Sequence, residues 1–416
     1  LVPCRPAGQP SRETENMLNS IRSRFSKETL AKDSVAGLVL GVESVPDGLA
    51  GGLLAGVNPI YGLYGYLFGM VGGALATSSV FMTVQATGAM AIVVADVGLS
   101  SYGEDEPRAL FTLAVLTGVV MLAAGLLKLG FVLRYVSNAV MVGFISAVGI
   151  NIILGQLDNF TGYEAEGANR IVRTFDLLLN PTSADLTTVL IGCLTIFLIV
   201  VLEKSPMGPL GMVVAVIVGS AIVPLFDLDV AQLRGITDIP SGLPTPTLPL
   251  FSAIPALLIP ALSLAFVGLV QGAGITAGFP NPDGEYPDAS RDFMGQGVGN
   301  VVSGVFQGMP VGGSMSATSL VKAAGSRTRM AQIIAGAVMA IIILVFGDLV
   351  GYIAMPALAG LLMLVGFRTI KPDDILAVWK TGKLDAAVMV ITMVLTMLIP
   401  LQYAVLVGVG ISMILY

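Results

Sequence analysis

The chain has 416 residues, of which 55% are hydrophobic and only 12% charged, and its formal net charge is -6. Soluble domains carry about a quarter charged residues, so a water-soluble enzyme or nucleic-acid binder is excluded, and a polytopic membrane protein is expected. There is no histidine, and the two cysteines, Cys4 and Cys193, lie far apart in sequence, so neither a metal site nor a disulfide framework is indicated, and no cofactor is expected.

The first 33 residues are polar and basic, with no short apolar run followed by a cleavage site, so they read as a cytoplasmic tail and an amphipathic helix rather than a signal peptide. From there the chain reads as about fourteen membrane segments, at 34–54, 59–77, 87–98, 109–127, 134–155, 186–202, 208–226, 252–274, 291–308, 314–325, 329–347, 351–367, 384–399 and 402–416. The apolar runs lack the alternation of outer-membrane strands, so the fold class is all-α. Fifty glycines and 23 prolines predict close helix contacts and broken helices.

The first segment holds VESVPDGLAGG, with Glu43 and Asp47 four residues apart and Pro46 between them. That spacing stacks both acids on one helix face at bilayer depth. Intramembrane acids are functional by default, and one or both carrying a proton would make a proton-coupling device. The alternative is that Glu43 bonds a hydroxyl or backbone group and never titrates. Pro46 leaves the Val42 carbonyl free and loosens the helix there.

The third and tenth segments are short, and each follows Gly- and Ser/Thr-rich sequence, TVQATGAMA and MPVGGSMSATS. They differ by seven in segment number, so they hold equivalent places in two seven-segment repeats. A matched pair of interrupted segments points to a secondary-transporter binding site, whereas either alone would indicate tight helix packing. A helix starting at the midplane turns free N–H groups and its positive dipole end toward a cavity, where they suit an anion. Thr87, Gly88 and Ala89 open the first of these half-helices, and Ser314, Met315 and Ser316 open the second.

With the N-terminus in the cytoplasm, this segment count leaves only Arg108, Arg170, Arg173 and Arg234 outside among 21 Lys and Arg residues. That asymmetry follows the positive-inside rule and puts both termini in the cytoplasm. Asp96, ending the third segment, is expected at the interface or paired with an outer cation. Asp292 is expected as a cap or inter-helix contact, and Arg327 and Arg329 as surface anchors of the tenth segment.

Two blocks carry a family resemblance. Pro46, Ala50, Ala55, Gly56, Pro59, Gly62, Leu63 and Tyr64 fit the first-helix signature of the sulfate permease family of anion transporters. Gly297-x-x-Asn300, Pro310-x-x-Gly313-Ser314-x-Ser316 and Ala324-Gly325-x-x-Thr328 resemble its second series. The resemblance implies two inverted seven-helix repeats arranged as a core domain (34–127 and 252–347) and a gate domain (128–226 and 348–416), with 227–251 an extracellular loop. It implies a bacterial inner-membrane protein, a homodimer in the lipid bilayer, and a small inorganic or organic anion as substrate, with no nucleic-acid partner. Family members usually end in a cytoplasmic STAS domain, which is expected to have been trimmed from a chain that stops at Tyr416.

Carried over residue by residue, the anion pocket would be formed by Asp47, Thr87, Gly88, Ala89, Gln271, Ser314, Met315, Ser316 and Ala317. Three positions depart from the family: Asp47 stands at a Gln position, Gln271 where many members have an acid, and Ala317 where several animal members have Arg. The pocket must then attract its anion through N–H groups, hydroxyls and Gln271. The expected function is proton-coupled uptake of a dicarboxylate such as fumarate, or of sulfate or bicarbonate, with sodium the other candidate coupling ion. The competing readings are an uncoupled channel or exchanger and, more distantly, a nucleobase permease, against which Gln271 and the acid-free SMSATS argue. No nucleophile and base pair suggests an enzyme.

Overall fold

The computed structural model describes residues 26–129, 137–167, 169–236 and 242–399, together with 403 and 407. The expected fourteenth segment, at 402–416, therefore lies outside the described residues apart from two positions. The helices in chain order are α1 (Lys27–Leu54), α2 (Pro59–Ala76), α3 (Gly88–Ala95), α4 (Glu106–Leu126), α5 (Asn138–Gly155), α6 (Leu157–Thr161), α7 (Arg170–Leu179) and α8 (Leu186–Glu203). They continue with α9 (Leu210–Leu225), α10 (Ile254–Gly278), α11 (Ala289–Val305), α12 (Met315–Ala323), α13 (Met330–Val350), α14 (Met355–Thr369), α15 (Pro372–Thr381) and α16 (Lys383–Leu398). Two three-residue strands, β1 (Thr83–Gln85) and β2 (Gly312–Ser314), precede the half-helices α3 and α12.

Local sequence sets these boundaries. Ser26 caps α1 by accepting from Thr29 N at 3.1 Å, and Asn58 caps α2 from Ile60 N at 3.1 Å, with Pro59 at the first helical position, where its missing N–H costs nothing. The expected tail and the start of the lead-in, residues 1–25, lie outside the described residues, and the described part of the lead-in opens α1, which runs unbroken through Pro46. The amphipathic α7 and the short α6 and α15 were not foreseen, because they are too brief or too polar to register as spans. Six helices among the described residues are long and apolar enough to cross a membrane.

The helices pack as two groups. In one, α11 packs on α4 and α2, α13 on α1 and α2, and α10 on α4; in the other, α5 packs on α14 and α16, and α8 on α9 and α14. Helix α1 touches the second group through α9 and α14, and α3 touches it through α5. Within the first group the α1–α13 contact is close enough to require glycine: a Cβ on Gly37 or Gly41 would meet the Ala331 or Ala335 carbonyl at 2.7 Å. The side on which α1 begins is called the near face and the other the far face.

Two buried carboxylates fasten near-face loops. Asp33 Oδ1 accepts from Arg327 N at 2.6 Å and Thr328 N at 3.0 Å, tying α1 to the turn after α12. Asp292, fully buried, accepts from the Thr77 hydroxyl at 2.6 Å, Ser78 N at 2.8 Å, Ser79 N at 3.0 Å and the Thr276 hydroxyl at 2.8 Å. It is thus an inter-helix contact joining α11, α10 and the loop after α2. Arg329 is more than a surface anchor, since its guanidinium donates to the Thr77 carbonyl.

Candidate functional site

In a bilayer every backbone group needs a protein partner, so two chain segments that return to the midplane must satisfy each other. β1 and β2 do so as an antiparallel pair with Thr83 opposite Ser314 and Gln85 opposite Gly312. The flanking backbone is held by side chains. Asn300 Oδ1 accepts from Val311 N at 2.9 Å, Gln296 Oε1 from Gly313 N at 3.0 Å, and Ser303 donates to the Met309 carbonyl at 2.7 Å. On the β1 side, Asn281 accepts from Val80 N at 2.8 Å, Gln332 donates to the Val80 carbonyl at 2.9 Å, and Thr318 of α12 accepts from Thr83 N at 3.2 Å.

From this strand pair α3 departs toward the far face and α12 toward the near face, leaving both N-termini at the middle of the molecule. Thr87 caps α3 from Met90 N at 3.4 Å, and Ser314 caps α12 from Ala317 N at 3.4 Å. The Thr87 hydroxyl also donates to Gln271 Oε1 of α10 at 2.9 Å, and Ser314 and Ser316 exchange a hydrogen bond at 3.2 Å. Gly272, one residue on, lets the strand lie against α10: a Cβ on Gly313 would be 3.1 Å from Gly272 Cα and 3.0 Å from Ile275 Cδ1.

The structure thus brings Thr87, Gln271, Ser314 and Ser316 to the same pair of helix ends. Gly88 is half-buried and Ala89 buried. Met315 is 48% exposed, with its Cε methyl 3.6 Å from where a Cβ on Gly274 would stand. Ala317 is buried, and its N–H is the one taken by Ser314. On α1, Ser44 accepts from Gln85 Nε2 at 2.7 Å, and Gly51 lies beside Ala86, so this helix borders the approach to α3. Asp47 accepts from the Tyr66 hydroxyl at 2.7 Å. Glu43 is buried, and its Oε2 has no hydrogen-bond partner among the described residues. No cation lies within ion-pairing distance of either acid among the described residues.

Sequence reasoning missed the polar stripe Gln296, Asn300 and Ser303 that carries β2. The signal was present: three amide or hydroxyl residues at i, i+4 and i+7 on a helix otherwise rich in glycine and apolar residues.

The sulfate permease family model matches residues 30–392. The chain belongs to the sulfate permease family. It is similar to a probable sulfate transporter of Mycobacterium tuberculosis, 29% identical over 84% of this chain and 63% of that protein. It is also similar to the chloroplastic sulfate transporter 4.1 of Arabidopsis thaliana, 26% identical over 94% of this chain and 59% of that protein. The chain spans about three-fifths of the length of these curated relatives. Among solved structures, the transmembrane domain of the cyanobacterial bicarbonate transporter BicA superposes with a TM-score of 0.78 at 26% identity, covering 94% of this chain and 98% of that one. The overall structure of SLC26A9 gives a TM-score of 0.85 at 21% identity over 99% of this chain and 72% of that one, a likeness of fold. The fold is an all-α polytopic membrane fold of inverted repeats with half-helices at the third and tenth positions.

Proposed function

We propose that this family member carries a small anion across a membrane by alternating access, binding it between the facing N-termini of α3 and α12. The observation that carries the reading is the meeting of two capped helix ends, Thr87 and Ser314, on one strand pair. Converging N–H groups and positive dipole ends favour an anion without a cationic side chain. Thr87, Gly88, Ala89, Ser314, Met315 and Ser316 would offer N–H groups and hydroxyls, Gln271 an amide, and Ala317 a small buried contact where a larger cation would narrow the site. Asp47 would shape one side. Alternating access would come from the first helix group moving as a core against the second as a gate.

The near face is the cytoplasm in this proposal. The helix directions put Lys27, Lys32, Lys204, Arg291, Lys322 and Lys383 there and leave Arg108, Arg170, Arg173 and Arg234 on the far face, which is the distribution expected for a bacterial inner-membrane protein with cytoplasmic termini. A homodimer rests on family likeness alone.

Coupling is proposed to run through Glu43. A buried carboxylate oxygen without a donor is costly, and an incoming proton turns that acid into a donor. The substrate class proposed is a dicarboxylate or another small oxyanion, bicarbonate and sulfate being those that the names of relatives supply. The test is counterflow in proteoliposomes with labelled sulfate, bicarbonate, chloride, oxalate and fumarate, with and without an inward proton gradient. Saturable counterflow of one anion, together with net uptake driven by the gradient in the wild type and not in Glu43→Gln, supports the reading. Linear, unsaturated flux would make the protein a channel, and gradient-independent uptake in both proteins would sink the coupling.

A further inference from the structure

Asp96 ends α3 and Arg170 begins α7, and their side chains form an ion pair of 2.9 Å on the far face. Each charge is at the wrong end of its own helix: a carboxylate opposes the negative C-terminal dipole of α3, and a guanidinium opposes the positive N-terminal dipole of α7. Local helix energetics therefore disfavours both, and the contact between them offsets the penalty. The side chains are only 22% and 18% exposed, so the pair is less screened than a free surface bridge.

The two partners belong to different packing groups. Helix α3 is joined to the strand pair and α10, whereas α7 follows α5, which packs on α14 and α16. Along the same side of α3 runs an apolar seam. A Cβ on Gly88 would stand 2.6 Å from Ile152 Cδ1 and 3.8 Å from Leu54 Cδ2, and one on Gly155 would stand 3.8 Å from Leu54 Cδ1 and 3.5 Å from Arg170 Nε. The seam begins beside the N-terminus of α3 and ends at the ion pair.

Resting on the transport reading above, we propose that Asp96 and Arg170 are a positioning pair that holds the seam shut and closes the far-face route to the half-helix cradle. Opening that route separates α3 from α5 and α7 and must break the bridge. The pair does not touch the anion; it sets the share of molecules whose cradle faces the far side.

The test uses a Cys4→Ser/Cys193→Ser background with a reporter Leu54→Cys, a seam residue only 4% exposed. A membrane-impermeant maleimide is applied separately to each side of sealed vesicles. Labelling from the far side is expected to be slow in the parent and at least about fivefold faster in Arg170→Ala and in Asp96→Asn. It should return to the parent rate in the swap Asp96→Arg/Arg170→Asp, which remakes the bridge with the charges exchanged. Unchanged labelling in both neutralised variants, or a swap as reactive as they are, overturns the proposal. A second readout guards against misfolding: a disulfide formed in Asp96→Cys/Arg170→Cys should arrest counterflow until it is reduced, and full counterflow with the disulfide intact also overturns it. Labelling needs no substrate, so a latch that responds in a protein moving no anion would leave this inference standing and remove the transport reading.

Discussion

The Thr87 hydroxyl donates to Gln271 Oε1 at 2.9 Å while the same oxygen accepts from Met90 N, so one small side chain both caps a half-helix and fastens it to α10. Removing it undoes both contacts. Thr87→Val, which keeps the volume, should cost about 1 kcal/mol from the cap alone. Anion affinity should fall about tenfold, equivalent to roughly 1.4 kcal/mol, while Thr87→Ser should stay near the parent. Equilibrium binding by the purified protein and its melting temperature measure the two effects separately.

Asp292 is a stability residue. Its carboxylate accepts from two backbone N–H groups of the 77–79 loop and from the hydroxyls of Thr77, Ser78 and Thr276. Asn in its place presents one oxygen fewer and faces donors with a donor. With hydrogen bonds to a charged group worth about 1.5–3 kcal/mol each, Asp292→Asn should destabilise by ~3 kcal/mol. Thermal unfolding in detergent should show a lower midpoint, which added anion does not fully restore.

Gly313 tests the close packing of the strand pair. A methyl group there would press on Gly272 Cα at 3.1 Å, a backbone atom that cannot rotate away. Gly313→Ala should cost about 1–3 kcal/mol through overpacking and lower the rate of counterflow. Gly242, where an added Cβ would meet nothing within 4 Å among the described residues, supplies the control, and Gly242→Ala should leave both measurements unchanged.

Asp185, outside the membrane segments, gives a signed pH dependence. It caps α8, accepting from the Thr188 hydroxyl, from Thr188 N at 2.8 Å and from Thr187 N at 3.3 Å. Those hydrogen bonds, the Thr188 hydroxyl first, hold its carboxyl below the usual range. Because the folded value is the lower one, the stabilisation is complete above the unfolded value of about 3.9 and is lost as the pH falls through the folded one. The melting-temperature gap between the parent and Asp185→Ala should be widest near neutrality and narrow in acid below about pH 4.

The spans were legible because apolar length is imposed by the bilayer, and the half-helices because a broken segment cannot hide among twenty-residue runs. Thr87 and Ser314 were legible as the residues that open the half-helices, and the structure makes each of them the cap. What pairs with what across the molecule was not legible. That the outer cation facing Asp96 is Arg170, and that the stripe of Gln296 and Asn300 meets the backbone at and beside β2, depends on approaches between segments remote in the chain, whose partners periodicity does not name. Glu43 and Asp47 share a helix face as their spacing required. Yet Asp47 has the Tyr66 hydroxyl while Glu43 Oε2 has no hydrogen-bond partner among the described residues, a distinction made by α2 rather than by the motif.

The most direct test of an anion held between two helix N-termini is to install a fixed anion there. Thr87→Asp retains a strong helix cap, so the protein should fold with a melting temperature close to the parent. Its carboxylate would occupy the positive end of α3 that the substrate needs. The account predicts a folded protein whose saturable binding and counterflow of the transported anion are lost. Binding and counterflow at parental levels in Thr87→Asp would contradict it.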